Sequence, residues 1–370
     1  MRRLTVVQLL PALDAGGVER STMEIADVLV REGHRAIVVS AGGRLLPRLL
    51  GIGAEHVSLD IGRKSPLTLR HVRALRALFR EVDADIVHAR SRLPAWLGWW
   101  ALRGMRAKRL HFVTTAHGLN SPSRYSAIMA RGERVICVSR TVREYLLAQY
   151  PATDPNRLVV IPRGIDPDAL PQVPHADREA RARIADMHPA LGGNCPLLLL
   201  PGRGTRLKGH ADAITLLAGL RSSGLDARLW MPGVVQAGRE DYLAELRRMV
   251  ADGGVVDFVA MTEPTSDMAL AYAACDLVLQ LSRKPEAFGR TVIEALSVGR
   301  PVLGWAHGGV GELLRELQPA GAVKPFDADA LLRTARDLLA QPPRPPATMP
   351  YTLQAMQEAT LAQYQSLVEA

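Results

Sequence analysis

The chain has 370 residues, of which 48% are hydrophobic and 22% charged. That length suits two domains of ordinary size, and the apolar fraction is too high for a disordered chain. Net charge is +9, the three cysteines (Cys137, Cys195 and Cys275) stand far apart, and no apolar run is long enough to span a bilayer, which excludes a Cys-rich metal cluster and a membrane-spanning helix and points to a reducing compartment.

The opening MRRLTVVQLLPALDA has the outline of a signal peptide, but Gln8 and Pro11 interrupt the apolar run and GGVER follows at once. It reads as a first β-strand and its loop. Short β-branched runs then alternate with helical patterns. In the first half they are LTVVQLL (4–10), AIVVS (36–40), DIVHA (85–89), HFVTT (111–115), RVICVS (134–139) and LVVIP (158–162). In the second half they are LLLL (197–200), ARLWM (227–231), VVDFV (255–259), DLVLQL (276–281), PVLG (301–304) and GAVK (321–324). Thr22, Ile25, Ala26 and Leu29 follow helical spacing, and Gly33 ends that helix. Strands alternating with helices mean parallel sheets built of βαβ units. Residues 166–196 are polar, carry no strand signal and read as a linker, and QPPRPPATMP (341–350) breaks the chain before a last helix. The expected fold class is α/β: two doubly wound, Rossmann-like domains, 1–170 and 171–349, with helix 350–370 returning to the first. Ligands of open parallel sheets bind beyond the carboxyl ends of the strands, which places the expected site in a cleft lined by loops of both domains.

The charge is uneven along the chain. Residues 1–170 hold 26 Lys and Arg against 15 Asp and Glu, whereas the remainder holds 20 against 22. A basic first half suits an anionic partner: phosphate groups, an acidic membrane surface or nucleic acid. Within RKSPLTLRHVRALRALFR, the cations Arg63, Lys64, Arg70, Arg73, Arg76 and Arg80 interleave with Leu67, Leu69, Val72, Leu75, Leu78 and Phe79. The spacing predicts an amphipathic helix able to pack on a sheet or touch anionic lipid. WLGWWALRGMRAKRL sets Trp96, Trp99 and Trp100 beside Arg103, Arg106, Lys108 and Arg109, a composition that suits a membrane interface and equally a core.

Three loops carry candidate chemistry. After the first strand, Gly16 and Gly17 precede a helix, where a ligand can approach the backbone and a helix N-terminus favours an anion; the spacing is not that of a dinucleotide fingerprint. After LLLL comes PGRGTRLKGH, with Arg203, Arg206 and Lys208 in a glycine-containing turn suited to a pyrophosphate. In KPEAFGRTVIEALSVGRPVLG, Glu286 precedes a helix and Glu294 lies inside it. The apolar flanks of Glu294 bury it, so it needs a polar partner, and a ribose diol would serve. The backbone N–H groups of Phe288, Gly289, Arg290 and Thr291 stand at the helix start, where phosphate or sugar oxygens can be held.

The pair Glu286 and Glu294 within PEAFGRTVIEALSVGRPV, with GRGTRLKG upstream, resembles the retaining glycosyltransferases of family 4. GGVER, TTAHGLN (114–120), VICVSRTVREYL (135–146) and VIPRGID (160–166) match further landmarks of that family, so the resemblance runs nearly the full chain. HARSRLPAW, TAHG and GRGTRLKG are most similar to bacterial members that build lipopolysaccharide core and related surface glycans. The chain departs from the family at FVAMTEP (258–264), where relatives usually place a glycine near the nucleobase.

The resemblance implies the two-domain GT-B architecture and a nucleotide-sugar donor, with UDP as the expected nucleotide. Arg203 and Lys208 would bind the donor pyrophosphate and stabilise the leaving diphosphate. Glu294 would hold the ribose, and Glu286, with the backbone of Phe288 and Gly289, the donor sugar; Arg290 and Thr291 complete the helix start. His117 would reach the donor sugar from the first domain, and Gly17 would lie against the phosphate or the acceptor. Arg163 and Arg206 would be supporting cations. Anomeric configuration would be retained by front-face attack, without a covalent enzyme nucleophile and without the paired-carboxylate logic of glycoside hydrolases. No Asp-x-Asp metal site occurs in the motifs, and neither metal nor cofactor is expected.

The expected activity is thus a metal-independent hexosyl transfer to an anionic, membrane-associated glycolipid or oligosaccharide acceptor in lipopolysaccharide core synthesis. The expected place is cytoplasmic, peripheral on the inner face of the membrane. One alternative is a GT-B nucleotide-sugar epimerase, which needs no acceptor; another is transfer to a different surface polysaccharide or lipid-linked acceptor. A nucleic-acid partner is suggested by basicity alone, and no matching RNA motif or helix-turn-helix accompanies it, so none is expected.

Overall fold

The computed structural model describes residues 2–14, 16–103, 105, 110–173 and 176–369. The chain divides into two compact units: Met1–Arg163 with Leu353–Ala370, and Gly164–Thr352.

The first unit is built on seven parallel strands: β1 (Thr5–Leu9), β2 (Arg35–Ser40), β3 (Glu55–Ser58), β4 (Ile86–Ala89), β5 (His111–Ala116), β6 (Arg134–Cys137) and β7 (Leu158–Val160), in the order β3-β2-β1-β4-β5-β6-β7. The central strands are buried on both faces, which is why they read as largely apolar runs, with Gln8 and His88 as buried polar exceptions. Helix Gly17–Arg31 packs its buried stripe of Met23, Ile25, Val28 and Leu29 on one side; each such side chain contributes roughly 1.5–3 kcal/mol. The last helix, Leu353–Glu369, belongs to this unit. Arg31 donates to Gln357 Oε1 at 3.0 Å, and Gln357 donates to the Glu24 carbonyl at 2.7 Å. Buried His88 bridges Tyr364 (2.5 Å) and Thr115 (2.6 Å), tying the helix to β4 and β5.

The second unit has six parallel strands: β8 (Leu197–Leu199), β9 (Arg228–Pro232), β10 (Val259–Thr262), β11 (Leu277–Gln280), β12 (Val302–Trp305) and β13 (Ala322–Val323), in the order β10-β9-β8-β11-β12-β13. In both sheets the strand order reverses beside the first strand, between β1 and β4 and between β8 and β11. Those reversals are where doubly wound sheets open a crevice for ligands.

Several elements differ from the sequence reading. Edge strand β3 was not anticipated; Glu-His-Val-Ser has neither length nor an apolar face to announce it. The strand expected at 255–259 begins only at Val259, because residues Val256–Phe258 turn as a 3-10 helix with Val256 exposed. The expected linker holds helix Arg178–Met187, which buries only Ala180 and Ile184 and so looks polar in sequence. In the basic segment, residues Pro66–Arg70 form a 3-10 turn and the helix runs His71–Glu81, burying Leu75 and Phe79 while Leu67 and Leu69 stay exposed. Arg106, Lys108 and Arg109 lie outside the described residues. Among the described residues no helix is long and apolar enough to cross a membrane.

Candidate active site

In the second unit the chemistry gathers at the carboxyl ends of β8 and β11. The turn after β8 is held by glycines that no other residue could replace without displacement. Gly209 has φ +77°, and a Cβ there would sit 2.1 Å from the Leu281 carbonyl oxygen; at Gly204 it would sit 2.2 Å from that of Val234. The turn is therefore pressed onto the ends of neighbouring strands, and this fixes where Lys208 emerges.

Lys208 Nζ donates to Glu286 Oε1 at 2.5 Å, with both side chains partly exposed. Ser282 Oγ donates to the same oxygen, and Gln280 Nε2 reaches Oε2 at 3.4 Å. His307 Nε2 donates to the Ser282 carbonyl at 2.8 Å, which sets its tautomer and steadies the loop. The sequence reading gave Lys208 and Glu286 separate tasks; the structure makes them one charge-paired unit. Arg203 is exposed and has no side-chain hydrogen bond or ion pair among the described residues. Arg206 pairs instead with Glu245, is largely exposed and points to a different neighbourhood.

Glu294 is 9% exposed, inside helix Arg290–Val298. Its partner is Tyr272, whose hydroxyl donates to Oε2 at 2.9 Å. Burial first, then the Glu294 carboxylate, holds the Tyr272 phenol well above its ordinary pKa, so it remains a donor at neutral pH. The helix begins at Gly289 without a side-chain cap, and Phe288 is buried beside it. Arg290 and Thr291 occupy its first turn. His210, at the end of the glycine turn, is fully buried, and burial lowers its pKa to about 4, keeping the ring neutral.

In the first unit, His117 follows β5 and faces Arg163, whose Nη2 lies 2.9 Å from Nδ1. A guanidinium can only donate, so Nδ1 accepts and the ring proton sits on Nε2. Gly17 opens the helix after β1, and a Cβ there would meet nothing within 4 Å, so the packing of this chain does not demand glycine at that position.

Residues 15–169 match the profile described as Glycosyltransferase Family 4, and residues 188–352 match that of Glycosyl transferases group 1. Residues 15–169 thus carry the family 4 domain, and the chain as a whole carries the two domains of a glycosyltransferase. Among curated relatives, a D-inositol 3-phosphate glycosyltransferase of Xylanimonas cellulosilytica is 28% identical over 80% of this chain and 77% of its own. Among solved structures, a glycosyltransferase from Rickettsia africae superposes with a TM-score of 0.86 at 27% identity, covering 100% of this chain and 99% of that one. HepE of Anabaena in complex with UDP and glucose superposes at 0.81 with 19% identity, covering 98% and 100%. The architecture is therefore GT-B, as the motifs implied.

Of the residues the sequence picked out in this glycosyltransferase, Lys208 and Glu286 touch each other, Glu294 is buried nearby in sequence and helix, and His117 and Gly17 belong to the other unit. Tyr272, Gln280, Ser282 and His307 were missed. A signal for two of them existed: Gln280 and Ser282 are polar at the carboxyl end of an otherwise apolar strand. FVAMTEP, the departure from the family, ends β10 in Thr262, which accepts from Trp230 Nε1 at 3.1 Å and whose carbonyl accepts from Gly233 and Val235. That threonine secures the strand end in its own way.

Proposed function

We propose that this glycosyltransferase is a retaining hexosyltransferase that takes a sugar from a UDP-sugar and passes it to an anionic, membrane-associated glycolipid or oligosaccharide acceptor of the lipopolysaccharide-core kind. The observation that carries the donor half of this reading is the Lys208–Glu286 pair at the β8/β11 reversal, next in the fold to a helix start without a side-chain cap. Arg203 and Lys208 meet the diphosphate, whose negative charge grows as the bond from the anomeric carbon to the phosphate oxygen breaks. Glu286, released from Lys208 as the phosphates arrive, accepts from sugar hydroxyls, with the backbone of Phe288 and Gly289 alongside. Arg290 and Thr291 present the helix N-terminus to the phosphates. Glu294 holds the ribose hydroxyls. His117, with its proton on Nε2, donates to the sugar, and Gly17 leaves room for phosphate or acceptor.

The acceptor oxygen bonds to the anomeric carbon on the face the leaving group vacates, and its proton passes to the departing phosphate oxygen. Arg203 and Lys208 supply the positive charge this step needs, so turnover is expected to persist in EDTA. The basic first half supports an anionic acceptor and peripheral attachment to the cytoplasmic face of the membrane, weakening as salt rises. A soluble phosphorylated acceptor is a second reading, favoured by the name of the Xylanimonas relative.

The test is transfer followed by NMR with UDP-glucose and UDP-N-acetylglucosamine, against lipopolysaccharide core and against soluble sugar phosphates. Free UDP and a product with the donor's anomeric configuration are expected. An inverted product would contradict retention; a donor isomer formed without acceptor and without free UDP would mark an epimerase.

A further inference from the structure

The loop that carries Glu286 runs from the carboxyl end of β11 to helix Arg290–Val298, and the loop after β12 braces it at two points. Gly309 N donates to the Glu286 carbonyl at 2.7 Å, and His307 Nε2 donates to the Ser282 carbonyl at 2.8 Å. Gly308, at φ +58°, lets the two backbones meet: a Cβ there would sit 2.6 Å from the Glu286 carbonyl oxygen.

His307 stands at the N-cap of helix Gly308–Leu317, where Ser, Thr, Asp or Asn would accept from the helix's own N–H groups. It makes no such cap and reaches across to the neighbouring loop instead. Phe326 meets its ring edge-on, with centroids 6.1 Å apart and planes at 84°. Phe326 is exposed and adopts φ +68°, a left-handed conformation that an aromatic residue takes only where its surroundings impose it. Arg283, which follows Ser282, lies over the Phe326 ring at 4.9 Å and is held by both oxygens of Asp212 at 2.7 and 2.9 Å. The contacts close a circuit: Ser282 to His307, His307 to Phe326, and Phe326 back to the residue beside Ser282.

That circuit holds a buried hydroxyl. Ser282 is 4% exposed, and its Oγ donates to Glu286 Oε1, the oxygen that Lys208 also holds. Gln280 Nε2, 3.4 Å from Oε2, is the weaker contact. Once Lys208 turns to a diphosphate, Ser282 is the near donor left on the carboxylate. Where its hydroxyl points follows from where its backbone is held, and without the imidazole the Ser282 carbonyl loses its donor.

We propose that His307 is a positioning residue for the donor sugar. Through the Ser282 carbonyl it fixes the Ser282 hydroxyl, which keeps the Glu286 carboxylate turned to the sugar hydroxyls while Lys208 is on the diphosphate. The inference rests on the reading of Glu286 as the sugar-binding carboxylate, and it adds a residue that touches neither sugar nor phosphate.

The test is isothermal titration of the full chain with UDP, UDP-glucose and UDP-N-acetylglucosamine. The quantity read is the Kd for UDP divided by the Kd for the tighter UDP-sugar. His307→Ala is expected to lower this ratio about tenfold, while the Kd for UDP itself stays within about twofold of wild type. His307→Gln, whose amide can donate to the same carbonyl, is expected to recover most of the ratio. In a Ser282→Ala background, where the ratio is already low, His307→Ala is expected to change nothing further. A loss shared equally by UDP and the UDP-sugars marks a merely structural role and overturns the proposal. So does a ratio that His307→Gln fails to recover, or one that His307→Ala lowers further in the Ser282→Ala background. Should His307→Ala fail to fold, a low ratio in Ser282→Ala with a near-wild-type ratio in His307→Gln is expected, and any other pairing overturns the proposal. Wild-type protein that binds no UDP overturns the donor assignment and this inference together. UDP binding with a ratio that His307→Ala leaves untouched, or with neither UDP-sugar bound by the wild type, overturns this inference alone.

Discussion

The two units use one topology to treat charge in opposite ways. At the carboxyl ends of the second unit's strands, cations meet carboxylates: Lys208 pairs with Glu286, Arg206 with Glu245, and Arg283 with Asp212. In the corresponding place in the first unit, Arg90 is buried with no ion pair among the described residues. The sequence shows the same contrast as a surplus of positive charge confined to residues 1–170. A paired cation can be handed to a ligand and recovered afterwards, which suits a diphosphate that arrives with one charge state and leaves with another. An unpaired one is committed to whatever anion fits.

The sharpest way to break the comparison is to remove the cation of the exchangeable Lys208–Glu286 pair or to neutralise the buried acid Glu294. Lys208→Ala and Glu294→Gln are each expected to lower transfer by roughly two decades, equivalent to about 3 kcal/mol of barrier. Steady-state rates at saturating donor check this, and rates near wild type would remove both residues from the site. Glutamine is chosen at position 294 because it still accepts from Tyr272, whereas alanine would strand a buried hydroxyl.

The next effect is on the frame rather than the chemistry. Gly209→Ala forces a side chain into φ +77° and against the Leu281 carbonyl. A loss of about 2 kcal/mol or more in urea unfolding is expected.

These two predictions also mark how far the sequence reached. Glu294 was legible because an acid flanked by Val292, Ile293, Ala295 and Leu296 must be buried on a helix. Glycine's necessity at 209 was legible only as a turn, since the contact that enforces it comes from Leu281, more than 70 residues away. Tyr272 was invisible for the same reason: nothing in MALAYAA says which helix it will face. The parallel alternation exposed twelve of the strands but misplaced β10, because periodicity cannot separate a 3-10 turn of Val, Asp and Phe from a strand start. Edge strand β3 left no apolar signature at all.

A third prediction concerns pH. His210 titrates near pH 4 when folded because it is buried, and near its ordinary 6.5 when unfolded; His88 is lowered well below 6.5 for the same reason. Between those values the unfolded chain binds more protons, so stability is full above pH 6.5 and falls as the pH drops through 6 and 5. His210 alone should remove about 2 kcal/mol at pH 5. Urea midpoints across this range check it, and His210→Gln, if it folds, should flatten the curve. The smallest effect is expected at Arg206→Ala: its pair with Glu245 is largely exposed, and transfer and stability should both change by less than about 1 kcal/mol. A loss of transfer as large as that of Lys208→Ala would mean that both cations serve the donor.

The central claim is that a diphosphate sits at the β8/β11 reversal. A crystal structure of the protein soaked with UDP tests it most directly. The account predicts density for both phosphates against Arg203, Lys208 and the backbone at the start of helix Arg290–Val298, with the ribose on Glu294 and the Lys208–Glu286 contact lengthened. Density elsewhere in the chain, with that corner unchanged and Lys208 still on Glu286, would contradict it.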